Sequence, residues 1–274
     1  MVEKNLVTPF KELIQLLDLE NIEHNLFRGH HPPDRKRRLF GGQIIAQSLV
    51  ASARTVTDDY LPHSLHAYFL KPGDWRVPAV FEVDRIRDGR SFCTRRVVVI
   101  QKGAVIFNMD VSFHKREEGV THQLRDPPAY SVPNEQAMAN GLKQRPFMSF
   151  TENYKAKLER IPQTPDQHVW FKANGDAPDS PLLNMALLAY QSDEALLGTA
   201  RLPHRGSYAH ENMQVASLDH SIWFHQPLSV GDWLLYSLDS PSSGNARGYT
   251  RGEIYTSEGV LVARCMQEGL MRML

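Results

Sequence analysis

The sequence predicts an α+β fold in which two similar units are fused, each an antiparallel sheet wrapped around one helix. Two observations predict this fold. Identical residues recur in the same order about 155 positions apart, and each half repeats one apolar helical segment followed by four strand candidates. The chain has 274 residues, of which 42% are hydrophobic and 23% charged, enough for two units with a full core.

The internal repeat consists of six identities spread over about thirty-five residues. Phe69, Pro72 and Asp84 recur 155 positions later as Phe224, Pro227 and Asp239. Thr94-Arg95 and Gly103 recur 156 positions later as Thr250-Arg251 and Gly259. A single one-residue insertion reconciles the two offsets. We therefore predict that the chain arose by duplication.

Both halves contain four segments that are typical of strands. They are rich in Val, Ile and Phe, and turn pairs such as Asp88-Gly89 and Lys102-Gly103 separate them. In the first half the predicted strands are residues 63–70, 78–86, 91–101 and 105–113, and in the second half residues 215–225, 233–239, 246–256 and 260–270.

A helix is predicted ahead of each set of strands. Residues 43–55 follow Gly41-Gly42, and residues 181–197 open with Ser180 and Pro181, an N-cap and a first-turn proline. A helix that is apolar nearly all round must be buried, so each sheet is expected to wrap its helix. This is the hotdog arrangement, present twice.

The region between the two units is expected to be a linker. Residues 115–166 hold six of the seventeen prolines, with short surface helices predicted near residues 135–143 and 152–160. The predicted organisation is an N-terminal hotdog unit at 1–114, the linker at 115–166, and a C-terminal hotdog unit at 167–274.

The composition excludes several classes of protein. Thirty-one basic and thirty-one acidic side chains cancel, which gives no reason to expect a nucleic-acid or membrane partner. No apolar stretch is long enough to span a bilayer, and charged residues interrupt the first fourteen positions. Two cysteines without ligand spacing predict neither a disulfide framework nor a metal site, so a cytoplasmic location is expected.

Five stretches of the chain together resemble the type II acyl-CoA thioesterases. They are Phe40-Gly41-Gly42-Gln43 and residues 63–73, 88–96, 219–227 and 267–272. The resemblance implies a double hotdog that hydrolyses acyl-CoA thioesters without a cofactor or metal. It also implies that an Asp, a Ser or Thr, and a Gln hold the attacking water.

Carried over residue by residue, the resemblance assigns these three roles to Asp193, Ser217 and Gln267. Ser217 differs from the Thr of some members, keeping the hydroxyl but losing the methyl that restricts its rotamer. By the repeat offsets, Val111 corresponds to Gln267 and Pro62 to Ser217. Neither can make the required hydrogen bonds, so we predict one active site per chain.

Substrate-binding candidates are Gly42 and four basic residues that could hold the phosphates of CoA, although such residues usually form a solvated surface. The basic candidates are Arg38, Arg90, Arg95 and Arg251. A homo-oligomer, dimer or tetramer, is expected because hotdog units commonly expose sheet edges and faces.

Two other functions are alternatives. A hotdog enoyl-CoA hydratase would need a paired Asp and His, but Asp219 and His220 are neighbours on one strand and should point to opposite faces. Asp219 is expected to support the strand near Ser217, and His63 and His66 to serve in packing. A non-catalytic acyl-CoA binder is the second alternative, which thiol release from acyl-CoA would exclude.

Overall fold

The computed structural model describes residues 9–32, 39–133, 146–151, 161–207 and 212–274, and the predicted helices 135–143 and 152–160 lie outside them. The helices are α1 (Pro9–Leu17), α2 (Gly41–Ala53), α3 (Pro181–Ser192) and α4 (Leu196–Ala200), followed by a 3₁₀ turn (Leu202–His204). The strands of the first half are β1 (Glu20–Glu23), β2 (Leu26–Gly29), β3 (Tyr60–Phe69), β4 (Ala79–Asp88), β5 (Phe92–Gln101) and β6 (Ala104–Lys115). Those of the second half are β7 (Phe147–Phe150), β8 (Asp166–Ala173), β9 (Met213–Ser217), β10 (Asp219–Phe224), β11 (Leu234–Gly244), β12 (Arg247–Thr256) and β13 (Leu261–Met273).

The strands of the described residues form one antiparallel sheet. Its two halves have corresponding strands in the same order, counted from each edge of the sheet towards the middle. The first half runs β1-β2-β4-β5-β6-β3, and the second continues as β10-β13-β12-β11-β8-β7, with β9 added on β13. The halves join where β3 pairs with β10, and His66 lies opposite Ser221, its own counterpart 155 positions later. The predicted double hotdog is confirmed.

The two long helices lie inside this sheet, as their composition predicts. All residues of α2 after Gly41 are buried, and so is most of α3. No helix among the described residues has the length and apolar character needed to cross a bilayer.

The strand register corrects one detail of the repeat. Asp84 lies opposite Arg96, and Asp239 lies opposite Arg251. The counterpart of Arg251 is therefore Arg96, and the match of Thr94-Arg95 with Thr250-Arg251 is wrong by one residue. The inserted residue lies in the β12–β13 turn, because Ile100 pairs with Val105 but Tyr255 pairs with Leu261.

Two predicted elements are interrupted, and both interruptions lie beside the candidate site. The strand predicted at 215–225 breaks at Leu218, whose N–H donates to the Glu268 carbonyl at 2.9 Å. The helix predicted at 181–197 ends at Ser192, and Ala195 takes a left-handed conformation with φ 78° before α4 begins. Neither break is marked by a change in the local pattern of apolar residues, so the sequence does not predict them.

Several elements were not predicted from the sequence. They are α1, β1, β2, β7 and β8, and β7 lies in the region predicted to be a linker. Strand β7 pairs with β8, so the sheet of the second half already includes residues before 167. The division into 1–114, 115–166 and 167–274 stays a prediction.

Candidate active site

The three residues that the sequence singles out come together although they lie on three separate elements. Asp193 follows the last residue of α3, Ser217 ends β9, and Gln267 lies in β13. The Gln267 Nε2 donates to Asp193 Oδ1 at 2.8 Å, and the Ser217 hydroxyl is also hydrogen-bonded to this carboxylate. The Gly42 N–H, from the other half, donates to Asp193 Oδ2 at 2.9 Å.

The first turn of α2 supplies a donor that the sequence did not predict for this purpose. The first N–H groups of a helix have no intrahelical partner, and the positive end of the helix dipole favours a nearby carboxylate. Gly42 therefore binds the candidate base Asp193, whereas the sequence predicted a contact with substrate.

Glycine is required at both positions because the chain segments approach closely. A Cβ on Gly41 would lie 2.6 Å from Asp193 Oδ2, and one on Gly42 would lie 2.1 Å from the Tyr190 carbonyl oxygen. The Gly41-Gly42 pair thus lets α2 contact both the end of α3 and the carboxylate.

The environment of Asp193 makes its carboxylate a stronger base than an ordinary aspartate. Burial raises its pKa, and the hydrogen bonds from Gln267, Gly42 and Ser217 oppose this rise without cancelling it. Asp193 as a residue is only half-buried, so part of its surface stays accessible. A positioned carboxylate of raised pKa is suited to accept a proton near neutral pH.

A cavity of about 320 Å³ adjoins the carboxylate. It is lined by Gly41 and Ser217, which both contact Asp193. Its other walls are largely apolar and come from both halves, namely Leu39, Ile44, residues 69–73, Ile106, Phe107, Val215, Ala216 and Leu218. An apolar portion of a substrate fits such a lining. The reacting carbonyl would then lie at the end of the cavity that Ser217 lines.

The predicted role of Arg95 in substrate binding is wrong. Its side chain is 1% exposed, is paired with Asp88, and donates to Thr55 Oγ1 at 2.7 Å and to the Arg87 carbonyl at 2.9 Å. It thus ties β5 to the end of α2 and presents no donor to a ligand.

Arg251 and Arg90 do not line the cavity either. Arg251 is paired with Asp239 at 2.8 Å on the outer face of the sheet. Arg90 lies beside Tyr60, whose hydroxyl donates to its carbonyl, at the end of β3 that is about 30 Å from the cavity. Arg38 lies outside the described residues, directly before Leu39 of the cavity wall. Lys71, exposed at the rim of the cavity, was missed although it lies within the stretch 63–73.

The corresponding position in the first half lacks the polar groups. Pro62 pairs with Phe113 as Ser217 pairs with Gly269, and Val111 is fully buried opposite Leu65. The register therefore places Pro62 and Val111 where the second half has Ser217 and Gln267.

The three histidines considered from the sequence, His63, His66 and His220, serve other contacts. Asp219 Oδ1 accepts the Glu268 N–H at 2.7 Å, whereas His220 points inward to Ser192 Oγ at 2.9 Å. These two side chains do not pair, so the dyad needed for the hydratase alternative is absent at this position. His63 contacts Ser112 at 2.8 Å and His66 contacts Ser221 at 3.0 Å.

Known proteins resemble this chain over most of its length. The family described as acyl-CoA thioesterase matches residues 149–270, and the one described as acyl-CoA thioesterase N-terminal domain matches residues 31–114. Acyl-CoA thioesterase 2 of Haemophilus influenzae is 35% identical over 277 residues, which are 95% of this chain and 96% of the relative. Acyl-coenzyme A thioesterase 8 of Mus musculus is 36% identical over 285 residues, 94% of this chain and 88% of the relative. A crystal structure of an acyl-CoA thioesterase II from Mycobacterium marinum has a TM-score of 0.82 at 40% identity and covers 96% of this chain and 98% of that one.

Fold, site and relatives together define a double-hotdog hydrolase of thioesters. Within that class, the chain belongs to the acyl-CoA thioesterase family.

Proposed function

We propose that the chain hydrolyses acyl-CoA thioesters to the free acid and CoA by direct attack of a water molecule held by Asp193, Ser217 and Gln267. The observation that carries this proposal is the convergence of these three side chains beside a largely apolar cavity. Because all three belong to the second half, the proposal includes one active site per chain.

Hydrolysis of a thioester needs little more than a positioned, partly deprotonated water. The thiolate leaving group has a conjugate acid with a pKa of roughly 8.5, so it departs without a strong general acid. Water oxygen bonds to the carbonyl carbon while Asp193 accepts its proton. The C–S bond then breaks, and the thiolate of CoA takes up the proton.

Ser217 and Gln267 orient the attacking water. The Ser217 hydroxyl donates to Asp193 and so fixes the carboxylate that accepts one O–H of the water. Gln267 is 1% exposed, and its Oε1 is buried with no hydrogen-bond partner among the described residues, so it can accept the second O–H of the water. The water would thus face the carbonyl with a lone pair.

Release of free thiol from acyl-CoA tests the reaction. We expect thiol to appear in proportion to the substrate consumed, and a panel of acyl lengths defines the preferred chain. Loss of enoyl absorbance with enoyl-CoA would instead indicate a hydratase, and tight binding without thiol release over hours would indicate a binding protein.

The pH dependence of kcat/KM follows from the burial of Asp193. The base acts only when ionised, and burial raises its pKa above the ordinary value of about 3.9. Activity should therefore fall on acidification at a higher pH than an ordinary aspartate would require. A pH profile of kcat/KM checks this, and an acidic midpoint at or below about 4 would contradict it.

Lys71 is proposed to attract the phosphates of CoA at the rim of the cavity. Lys71→Ala should raise KM for acyl-CoA by about two- to fivefold, the size expected for an exposed ion pair. It should leave KM unchanged for an acyl thioester of N-acetylcysteamine, which carries no phosphate. Lys172→Ala, at a lysine that does not line this cavity, is the control, and equal effects on both substrates would contradict the assignment.

A homo-oligomer, dimer or tetramer, and a cytoplasmic location are also proposed. Large apolar side chains such as Tyr68, 60% exposed, lie on the outer face of the sheet where a second copy could pack. Both cysteines are free and buried, which suits a reducing compartment. Sedimentation analysis tests the oligomer, and a monomer at micromolar concentration would overturn it.

A further inference from the structure

Three buried polar residues lie directly behind Asp193 and are not used by the proposed chemistry. We call them the Ser192 cluster: Ser192, His220 and Tyr236. Each is at most 1% exposed. The Tyr236 hydroxyl donates to the Ser192 carbonyl at 2.9 Å, and His220 Nε2 lies 2.9 Å from Ser192 Oγ.

The direction of each hydrogen bond follows from the geometry of the helix end. The Ser192 hydroxyl donates to the Ala189 carbonyl at 2.9 Å, so its oxygen accepts the proton of His220 Nε2. Burial lowers the pKa of His220 to about 3, which keeps the imidazole neutral. The Ser192 carbonyl is one of the helix-terminal carbonyls that have no intrahelical partner, and Tyr236 satisfies it.

The first half has apolar residues at the positions of His220 and Tyr236, and its Ser52 carbonyl accepts from the Thr55 hydroxyl at 2.7 Å instead. Phe81 lies opposite Val99 as Tyr236 lies opposite Ile254, so Phe81 is the counterpart of Tyr236. At the joint between the halves, Leu65 takes the place of His220. Both counterparts are fully buried apolar residues.

The serine itself is present in both halves. Ser52 in the last turn of α2 donates to the Leu49 carbonyl at 2.8 Å, as Ser192 does to Ala189. What distinguishes the second half is that the serine also meets a histidine and a tyrosine. These partners occur in the half that carries Asp193, Ser217 and Gln267.

We propose that His220 and Tyr236 are positioning residues that act through Ser192 to fix the carboxylate of Asp193. Ser192 is the last residue of α3 and Asp193 follows it, so any movement of the helix end moves the carboxylate. His220 of β10 and Tyr236 of β11 each form a hydrogen bond with Ser192, and together these bonds restrict its movement. Displacing a catalytic group by about 1 Å can reduce turnover by a factor of 10². This inference rests on the proposed role of Asp193 as the base.

The test uses the two serines as a matched pair, together with Tyr236→Phe, which introduces the residue found in the first half. We expect Ser192→Ala and Tyr236→Phe each to lower kcat at least about tenfold, within the range that misplacement of a catalytic group produces, while KM changes less than about twofold. Ser52→Ala, which removes the same helix-end hydroxyl from the first half, should leave kcat and KM near their normal values. Thermal unfolding of all three variants shows whether they fold.

Other outcomes separate this inference from the proposed mechanism. Normal kcat in Ser192→Ala and Tyr236→Phe, with Asp193→Asn inactive, would overturn the positioning role and leave the mechanism intact. Equal losses in the two serine variants would also overturn it, because a general effect on helix ends would then suffice. Full activity of Asp193→Asn would instead contradict the proposed mechanism, on which the positioning role rests.

Discussion

Asp193→Asn is expected to lower kcat by about 10²- to 10⁴-fold, the usual contribution of a general base. Asparagine has the same size and keeps an oxygen that can accept from Gly42 or Gln267, but it cannot take a proton from water. Burial of the carboxylate has already raised its pKa, so removing the charge should not harm folding. Steady-state thiol release and a thermal unfolding curve measure the two effects separately.

Glu194→Gln is the matched control for this substitution. Glu194 is the next residue, carries the same charge, and is exposed to solvent. Its variant should keep normal turnover. If both variants lost activity equally, or if Asp193→Asn turned over at the normal rate, Asp193 would not be the base.

Gly42→Ala should damage stability and activity together. Its Cβ would lie 2.1 Å from the Tyr190 carbonyl oxygen, and both atoms belong to helices packed inside the sheet. Relieving that overlap must separate α2 from α3, at a cost of about 1–3 kcal/mol for overpacking. The same movement withdraws the Gly42 N–H from Asp193, so we also expect kcat to fall at least tenfold, as roughly expected for a small displacement of a catalytic group.

Gly198→Ala is the control for Gly42→Ala, and chemical denaturation measures the free energy of unfolding of both variants. Gly198 lies in α4, and a Cβ there would meet no atom within 4 Å. Alanine should therefore raise the free energy of unfolding by about 0.5–1 kcal/mol, the usual difference between alanine and glycine in a helix. A Gly42→Ala variant as stable as the unaltered protein would show that the close contact of α2 and α3 is not required.

The fold could be predicted from the sequence because the duplication repeats each helix and strand pattern in the second half. An apolar helix and four strands, repeated in the same order, can bury their surfaces in few ways. Short edge elements such as β1 and β7 carry too few residues to show periodicity, and Pro146 before β7 favoured a linker. The misplaced match of Thr94-Arg95 arose because identities alone cannot locate a one-residue insertion, whereas strand pairing can.

The candidate site could be predicted from the sequence only in part. Asp193, Ser217 and Gln267 followed from the family resemblance, but their hydrogen bonds depend on the break of the helix after Ser192. At that break Ser192 contacts His220 of β10 and Tyr236 of β11, and no local pattern around residue 192 reveals these contacts. The sequence also does not distinguish a basic residue that binds a ligand from one that, like Arg95, donates to buried backbone carbonyls.

A double-variant cycle of Asp193→Asn and Gln267→Val tests most directly whether the two side chains act as one catalytic unit, as a shared water requires. Valine is the residue at the corresponding position of the first half, Val111, where it is fully buried. Groups that act as a unit are strongly non-additive, so the double variant should turn over about as slowly as Asp193→Asn alone. Losses in kcat that multiply, each side chain contributing its full factor in the absence of the other, would contradict a shared water molecule.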